Sequence, residues 1–186
     1  MEKFSQIKKE IPTNTKKEDM FSSDTIRIRE ISGEEAIIES DEVICVPYFT
    51  EYNQIVIKQE QNNVYSFVEG QDLHISPLKV SVDEKYDLRM NLLKMLEMEV
   101  GIVIRDKYPI DFENPLFAAT NSTKRYYICI LPLAESDYHE VMVRNDLDNK
   151  YNKIIKLDAK FINSLNVSDI VTELVLTRVK KYLNII

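Results

Sequence analysis

The sequence predicts an α/β domain preceded by a polar arm. Three patterns carry this: period-two apolar alternation in segments between Thr25 and Gln59, one amphipathic helix across Asp83–Gly101, and a second at the C-terminal end. The 186 residues fit one domain and are enough to bury a substantial core.

Residues 1–24 are polar and charged, with Lys8-Lys9-Glu10 and Lys16-Lys17-Glu18-Asp19, and read as a flexible or partner-binding arm. Phe4, Ile7, Ile11 and Phe21 are its candidate anchors. Residues 25–186 form the domain. Thr25–Ile31 alternates as a half-buried strand should, Ser32-Gly33-Glu34-Glu35 turns, and Ala36–Glu39 resumes a strand. Glu42–Phe49 is almost continuously apolar and reads as a central strand; after Thr50-Glu51-Tyr52-Asn53 the alternation of Gln54–Gln59 completes a hairpin. Tyr65–Val68 is a shorter strand. In the first helix Asp83 is the expected cap, Leu88, Leu92, Leu93, Leu96 and Val100 share one face, and Gly101 is the stop. Strand-like segments follow at Ile102–Arg105, Leu116–Ala119, Arg125–Leu133, Glu140–Val143 and Lys153–Leu157. Asp158 starts a short helix. Ser168 caps the last one, whose apolar set is Ile170, Val171, Leu174, Val175, Val179 and Leu183.

Composition narrows the function. A net charge of −7 argues against generic nucleic-acid binding, which needs clustered Lys and Arg, and against an anionic membrane surface. No apolar run has the length of a membrane span, and the N-terminus lacks the apolar centre of a secretory signal. Cys45 and Cys129 lie inside apolar runs and read as buried free thiols in a reducing compartment. The expected location is the cytoplasm, or a phage virion assembled there, since the Ile-, Lys- and Asn-rich usage suits an AT-rich bacterial or phage genome.

Four stretches carry a resemblance: Val43-Ile44-Cys45-Val46-Pro47 with Gln54–Gln59, Phe67-Val68-Glu69-Gly70, Leu92–Ile102, and Leu157-Asp158 with the last helix. Their order resembles the Nudix hydrolase superfamily, in particular its ADP-ribose pyrophosphatase branch. The resemblance implies an α/β/α sandwich with a mixed sheet, one box helix and a C-terminal helix. Gly70 and Lys94 stand further apart than the family's interval: either Leu73-His74-Ile75-Ser76-Pro77-Leu78 is an inserted loop, or Gly70 is not the box glycine. His74 then reads as a surface loop residue.

The Nudix box reads Arg-Glu-apolar-x-Glu-Glu-x-Gly-apolar. Aligned on Gly101, this chain has Lys94 for the arginine, Met95 and Met98 for two glutamates, and Glu99 alone where a metal-binding glutamate belongs. Mg²⁺ is a hard cation that wants octahedral oxygen ligands, and a thioether serves it poorly. Carboxylates at helix positions i and i+4 share a face; here that pair is Met95 and Glu99. Lys94 lacks the planar fork with which arginine orients carboxylates. The branch's later catalytic glutamate has no counterpart in Asn121-Ser122-Thr123-Lys124.

The leading expectation is therefore a catalytically degenerate Nudix-fold protein acting as a binding or structural interaction module, in a phage or bacterial assembly. Met95 and Met98 would form its partner face, toward a protein partner or a second copy, with no cofactor. The alternatives are a Mg²⁺-dependent hydrolase of ADP-ribose-like nucleoside diphosphate compounds, and a nucleotide sensor without turnover. For the enzyme, Glu99 is the metal ligand and Glu99, Glu97 and Lys94 are the residual catalytic candidates, with Asp83 or Glu84 recruited. Lys124 and Arg125 are the substrate-binding candidates. His74 and His139 lack a metal spacing, and Arg144–Lys150 reads as a solvated turn.

Overall fold

The computed structural model describes residues 19–22, 26–31, 34–61, 73–105, 108–141, 152–165, 167 and 169–185. Most of the arm, the Tyr65–Val68 strand with its turn to Gly70, the Arg144–Lys150 turn and the Ser168 cap lie outside the described residues. The chain divides into two compact units, Met1–Ser40 with Phe117–Lys124, and Asp41–Leu116 with Arg125–Ile186.

The first unit holds an antiparallel meander of β1 (Asp19–Ser22), β2 (Ile26–Ile31) and β3 (Glu34–Glu39). Asp19–Ser22, which composition assigns to the arm, is thus an edge strand paired with β2. The Asn121–Thr123 backbone adds to β3: the Ile37 amide donates to Asn121 O at 2.7 Å, and Thr123 donates back to Ile37 O at 2.9 Å. Ser122 also donates its hydroxyl to the Glu39 carboxylate at 3.0 Å.

The second unit is built on β4 (Glu42–Phe49), β5 (Gln54–Gln61), β6 (Leu73–Ser76), β7 (Leu78–Ser81), β8 (Ile102–Ile104), β9 (Leu116–Phe117), β10 (Arg125–Leu133), β11 (Tyr138–Glu140) and β12 (Asn152–Asp158). The main sheet runs β12-β5-β4-β10-β9 and is mixed, because β10 lies parallel to β4 while β12 and β4 are antiparallel to β5. Asn53, at φ 53°, closes the β4–β5 hairpin, a conformation asparagine tolerates better than most residues. The two hairpin strands pair only at Tyr48↔Ile55 and Phe49↔Gln54. Beyond that point β7 pairs with β4 and β6 with β5. The expected insertion is therefore two strands rather than a loop, separated at Pro77, which has no amide proton for a ladder.

Alternation along β4 makes the sandwich. Val43, Cys45 and Phe49 pack toward α1 (Leu88–Met95) in a cluster with Leu92, Met95 and Leu96. Ile44 and Val46 pack on the other face toward α2 (Ile170–Tyr182), with Val175, Leu176, Val179 and Ile162. Cys45 and Cys129 stand opposite each other in the β4–β10 register as buried free thiols, and burial pushes the Cys45 thiol up.

Both helices depart from their sequence pattern. Helix α1 starts after Asp87, whose carboxylate accepts the Met90 amide at 2.7 Å, and not at Asp83. The cause is Asn91, 4% exposed: its amide group accepts from the Asp83 amide and donates to the carbonyls of Asp83, Tyr86 and Asp87. That holds the preceding residues as a turn. Gly101, at φ 73°, ends the helix as expected. Helix α2 is capped by Asp169, which accepts the Thr172 amide at 2.8 Å. Its buried face is Thr172, Val175, Leu176 and Val179, while Ile170 and Leu174 are exposed.

Candidate functional site

The box segment Leu96–Val100 is a π-helical turn, one residue wider per turn than the α-helix before it. The i, i+4 projection that would align Met95 with Glu99 therefore does not carry through. Met95 enters the core at 3% exposure, Met98 points to solvent at 73%, and Glu99 is half-buried. As a partner face the two methionines are not equivalent: Met98 alone presents a surface. Glu97 is exposed, and the Lys94 ammonium sits 3.1 Å above the Tyr86 ring centroid. Lys94 therefore orients no box carboxylate.

Glu99 meets the sheet. Its Oε2 is 3.7 Å from Lys58 Nζ on β5, is shielded from water, and has no hydrogen-bond partner. Lys58 lies two residues beyond Val56, so alternation places it on the face that α1 covers. Its ammonium is also 3.5 Å from Glu60 Oε2. The other Glu60 oxygen lies 3.2 Å from His74 Nε2 and 3.6 Å from Lys79 Nζ, and accepts the Ser76 hydroxyl at 3.1 Å. Burial works to raise the Glu60 carboxyl, but Lys79, Lys58, Ser76 and His74 together hold it below the usual range. His74 is thus a buried strand residue and not a surface loop residue: the Glu60↔His74 register places it beside that carboxylate.

These residues do not fit a Mg²⁺ ion. One box carboxylate faces an ammonium, and the second acid is shared among three basic groups. Among the described residues, no group of three or more His, Cys, Asp or Glu is placed to hold a metal. Asp83 is spent on the turn before α1, where its carboxylate accepts the Lys85 amide. The substrate candidates fall in separate units. Arg125 places its fork on Asp41, at 3.0 Å from Nε and 2.7 Å from a terminal nitrogen, and this bond raises its pKa. Lys124 belongs to the segment counted with the first unit.

An open cleft of about 450 Å³ lies on the same face of β5. Phe49, Tyr52 and Tyr138 give it aromatic walls, and Glu135, Glu140, His139 and Lys156 give it polar ones. Lys156 stands opposite Val56 in the β5–β12 register, its ammonium 5.0 Å above the Phe49 ring and 3.1 Å from Glu140. The Tyr52 hydroxyl donates to Glu135, which raises its pKa. Sequence patterning did not find this cleft, because its walls come from a hairpin turn, a short 3₁₀ turn at Glu135–Asp137 and two strands distant in the chain. Lys58 falls inside the strand expected at Gln54–Gln59 without a role assigned to it, and Glu60 falls just beyond that strand.

No helix among the described residues is long and apolar enough to cross a membrane. No family model matches the sequence, nor does any curated protein. Among solved structures, the crystal structure of an ADP compounds hydrolase superposes at a TM-score of 0.61 and 15% identity, over 90% of this chain and 91% of that one. A MutT structure, from work on the enzyme of Aliivibrio salmonicida and Vibrio cholerae, gives 0.49 and 10% over 75% of this chain and 98% of that one. At such identity the first likeness speaks to architecture alone. The mixed sheet between two helical layers, with the box helix ending at Gly101, is a Nudix-like fold.

Proposed function

We propose that this chain is a catalytically degenerate Nudix-fold protein, a binding and interaction module without efficient Mg²⁺-dependent hydrolysis. One observation carries the reading. Of the carboxylates that diphosphate hydrolysis needs at the end of the box helix, Glu99 alone is present, with Met95 buried and Met98 in solvent beside it. Divalent ions neutralise substrate phosphates and generate the attacking hydroxide, and a single carboxylate opposed by an ammonium is a poor cradle for them. Exposed Met98 is the surface the reading offers to a protein partner or a second copy.

The aromatic cleft favours a second reading, a nucleotide sensor without turnover. The aromatic walls suit a stacked base, and Lys156, which Glu140 now holds, is the charge that a base-bearing anion would have to recruit. The ADP compounds named for the structural neighbour are the first ligands to try. In a panel of ADP-ribose and other nucleoside diphosphate compounds with Mg²⁺ or Mn²⁺, wild type and Glu99→Gln should both release no product above the protein-free control. Turnover by wild type that Glu99→Gln removes would establish the hydrolase instead. A rise in melting temperature with ADP-ribose, without product, would establish the sensor.

A further inference from the structure

Lys58 carries a cation to Glu99, the one carboxylate that the Nudix resemblance would assign to a metal ion. Its ammonium stands between two carboxylates, 3.7 Å from Glu99 and 3.5 Å from Glu60. The Glu99 oxygen that faces it is closed off from water and makes no hydrogen bond, so charge and not hydrogen-bond geometry holds the two together. The Lys58 side chain is 20% exposed, and screening by solvent is correspondingly weak.

We propose that Lys58 is a tethered substitute for a divalent cation: it neutralises Glu99 and Glu60 and keeps free metal ions out. The inference rests on the degenerate reading above and adds the agent that maintains it. A divalent ion placed between Glu60 and Glu99 would sit against a like charge tethered to a strand that β6 and β12 hold on both sides. An ammonium on the backbone also requires no capture from solution. Glu60 keeps His74, Lys79 and Ser76 when Lys58 is removed, whereas Glu99 loses the ammonium that faces it. The vacated space would then be lined by Glu99 without its counter-charge and by the Glu60 oxygen that Lys58 had faced, an acidic pair able to take a metal ion.

The test is Mn²⁺ binding to the full chain, followed by titration calorimetry and by the paramagnetic signal of free Mn²⁺. Wild type and Lys58→Arg, which keeps the charge, should take up no Mn²⁺ at millimolar concentration. Lys58→Met and Lys58→Gln should each bind one equivalent with a dissociation constant at least about tenfold below that concentration, and Glu99→Gln in either background should abolish it. Circular dichroism establishes that each variant is folded, and two different replacements guard against one that is not. If folded Lys58→Met and Lys58→Gln bind no better than wild type, the substitute-cation inference is overturned while the degenerate reading stands. If wild type itself binds Mn²⁺ through Glu99, both fall.

Discussion

The two faces of the main sheet are built by the same alternating strands and are used differently. Toward α2, Ile44, Val46, Ile55, Ile57 and Ile128 meet Val175, Leu176 and Val179 in an apolar layer beside which Thr172 is the buried polar side chain of the helix. Toward α1, Val43, Cys45, Val56 and Leu131 meet Leu92, Met95 and Leu96 in an equally dry core. At its edge, however, Lys58, Glu60, His74 and Glu99 gather at low exposure. Helix α2 is a regular α-helix, whereas α1 widens to a π turn where it meets those charges. Desolvating charges costs free energy that their mutual attraction does not fully return, so such a cluster is a poor device for stability. The difference separates a face that only packs from a face that also gathers charged groups at its edge.

The strongest way to break this comparison is to truncate each core. Leu92→Ala on the α1 side and Leu176→Ala on the α2 side should each cost about 2–5 kcal/mol in urea unfolding, since both are almost fully buried. A Leu92→Ala cost near zero would mean that the α1 layer is not a packed core. The caps come next. Asp87→Ala and Asp169→Ala each remove the side-chain acceptor of one first-turn amide and should cost about 1 kcal/mol apiece. Unequal costs would show that one helix end is held by tertiary contacts instead. The finest distinction is acid sensitivity. The folded-state pKa of Glu60 is depressed, so the unfolded chain binds its proton first on acidification. Its stabilisation is present at neutral pH and fades as the pH falls below about 4, through the lowered pKa. Unfolding free energies measured from pH 7 downward should show a component that Glu60→Gln lacks. An identical acid profile for the two proteins would remove the charged cluster from the comparison.

Much of the scaffold was legible because its signals are local. The apolar run Glu42–Phe49, the hairpin after Asn53 and the stop at Gly101 each depend on a few adjacent residues. The Nudix-like order of elements followed from them. The site was less legible. His74 looked like a loop residue because Leu73–Leu78 carries too short a pattern to reveal two strands, and only pairing with β5 and β4 makes them so. The capping role passed from Asp83 to Asp87 because Asn91, from within the helix, binds the residues before it. That methionines stand at positions 95 and 98, where the resemblance expects glutamates, was visible in the letters. Nothing local indicated that Lys58 would face Glu99, since they lie on different elements far apart in the chain.

By itself the sequence determined which segments alternate, where the first helix stops and which of its residues are acidic, because periodicity and residue chemistry are properties of neighbours. Tertiary structure alone decided that Met95 is buried, that a π turn re-aims Glu99, and that a lysine from β5 meets it. Those outcomes depend on strand register and on helix-to-sheet packing, which bring distant charges within a few ångströms and take water away from them.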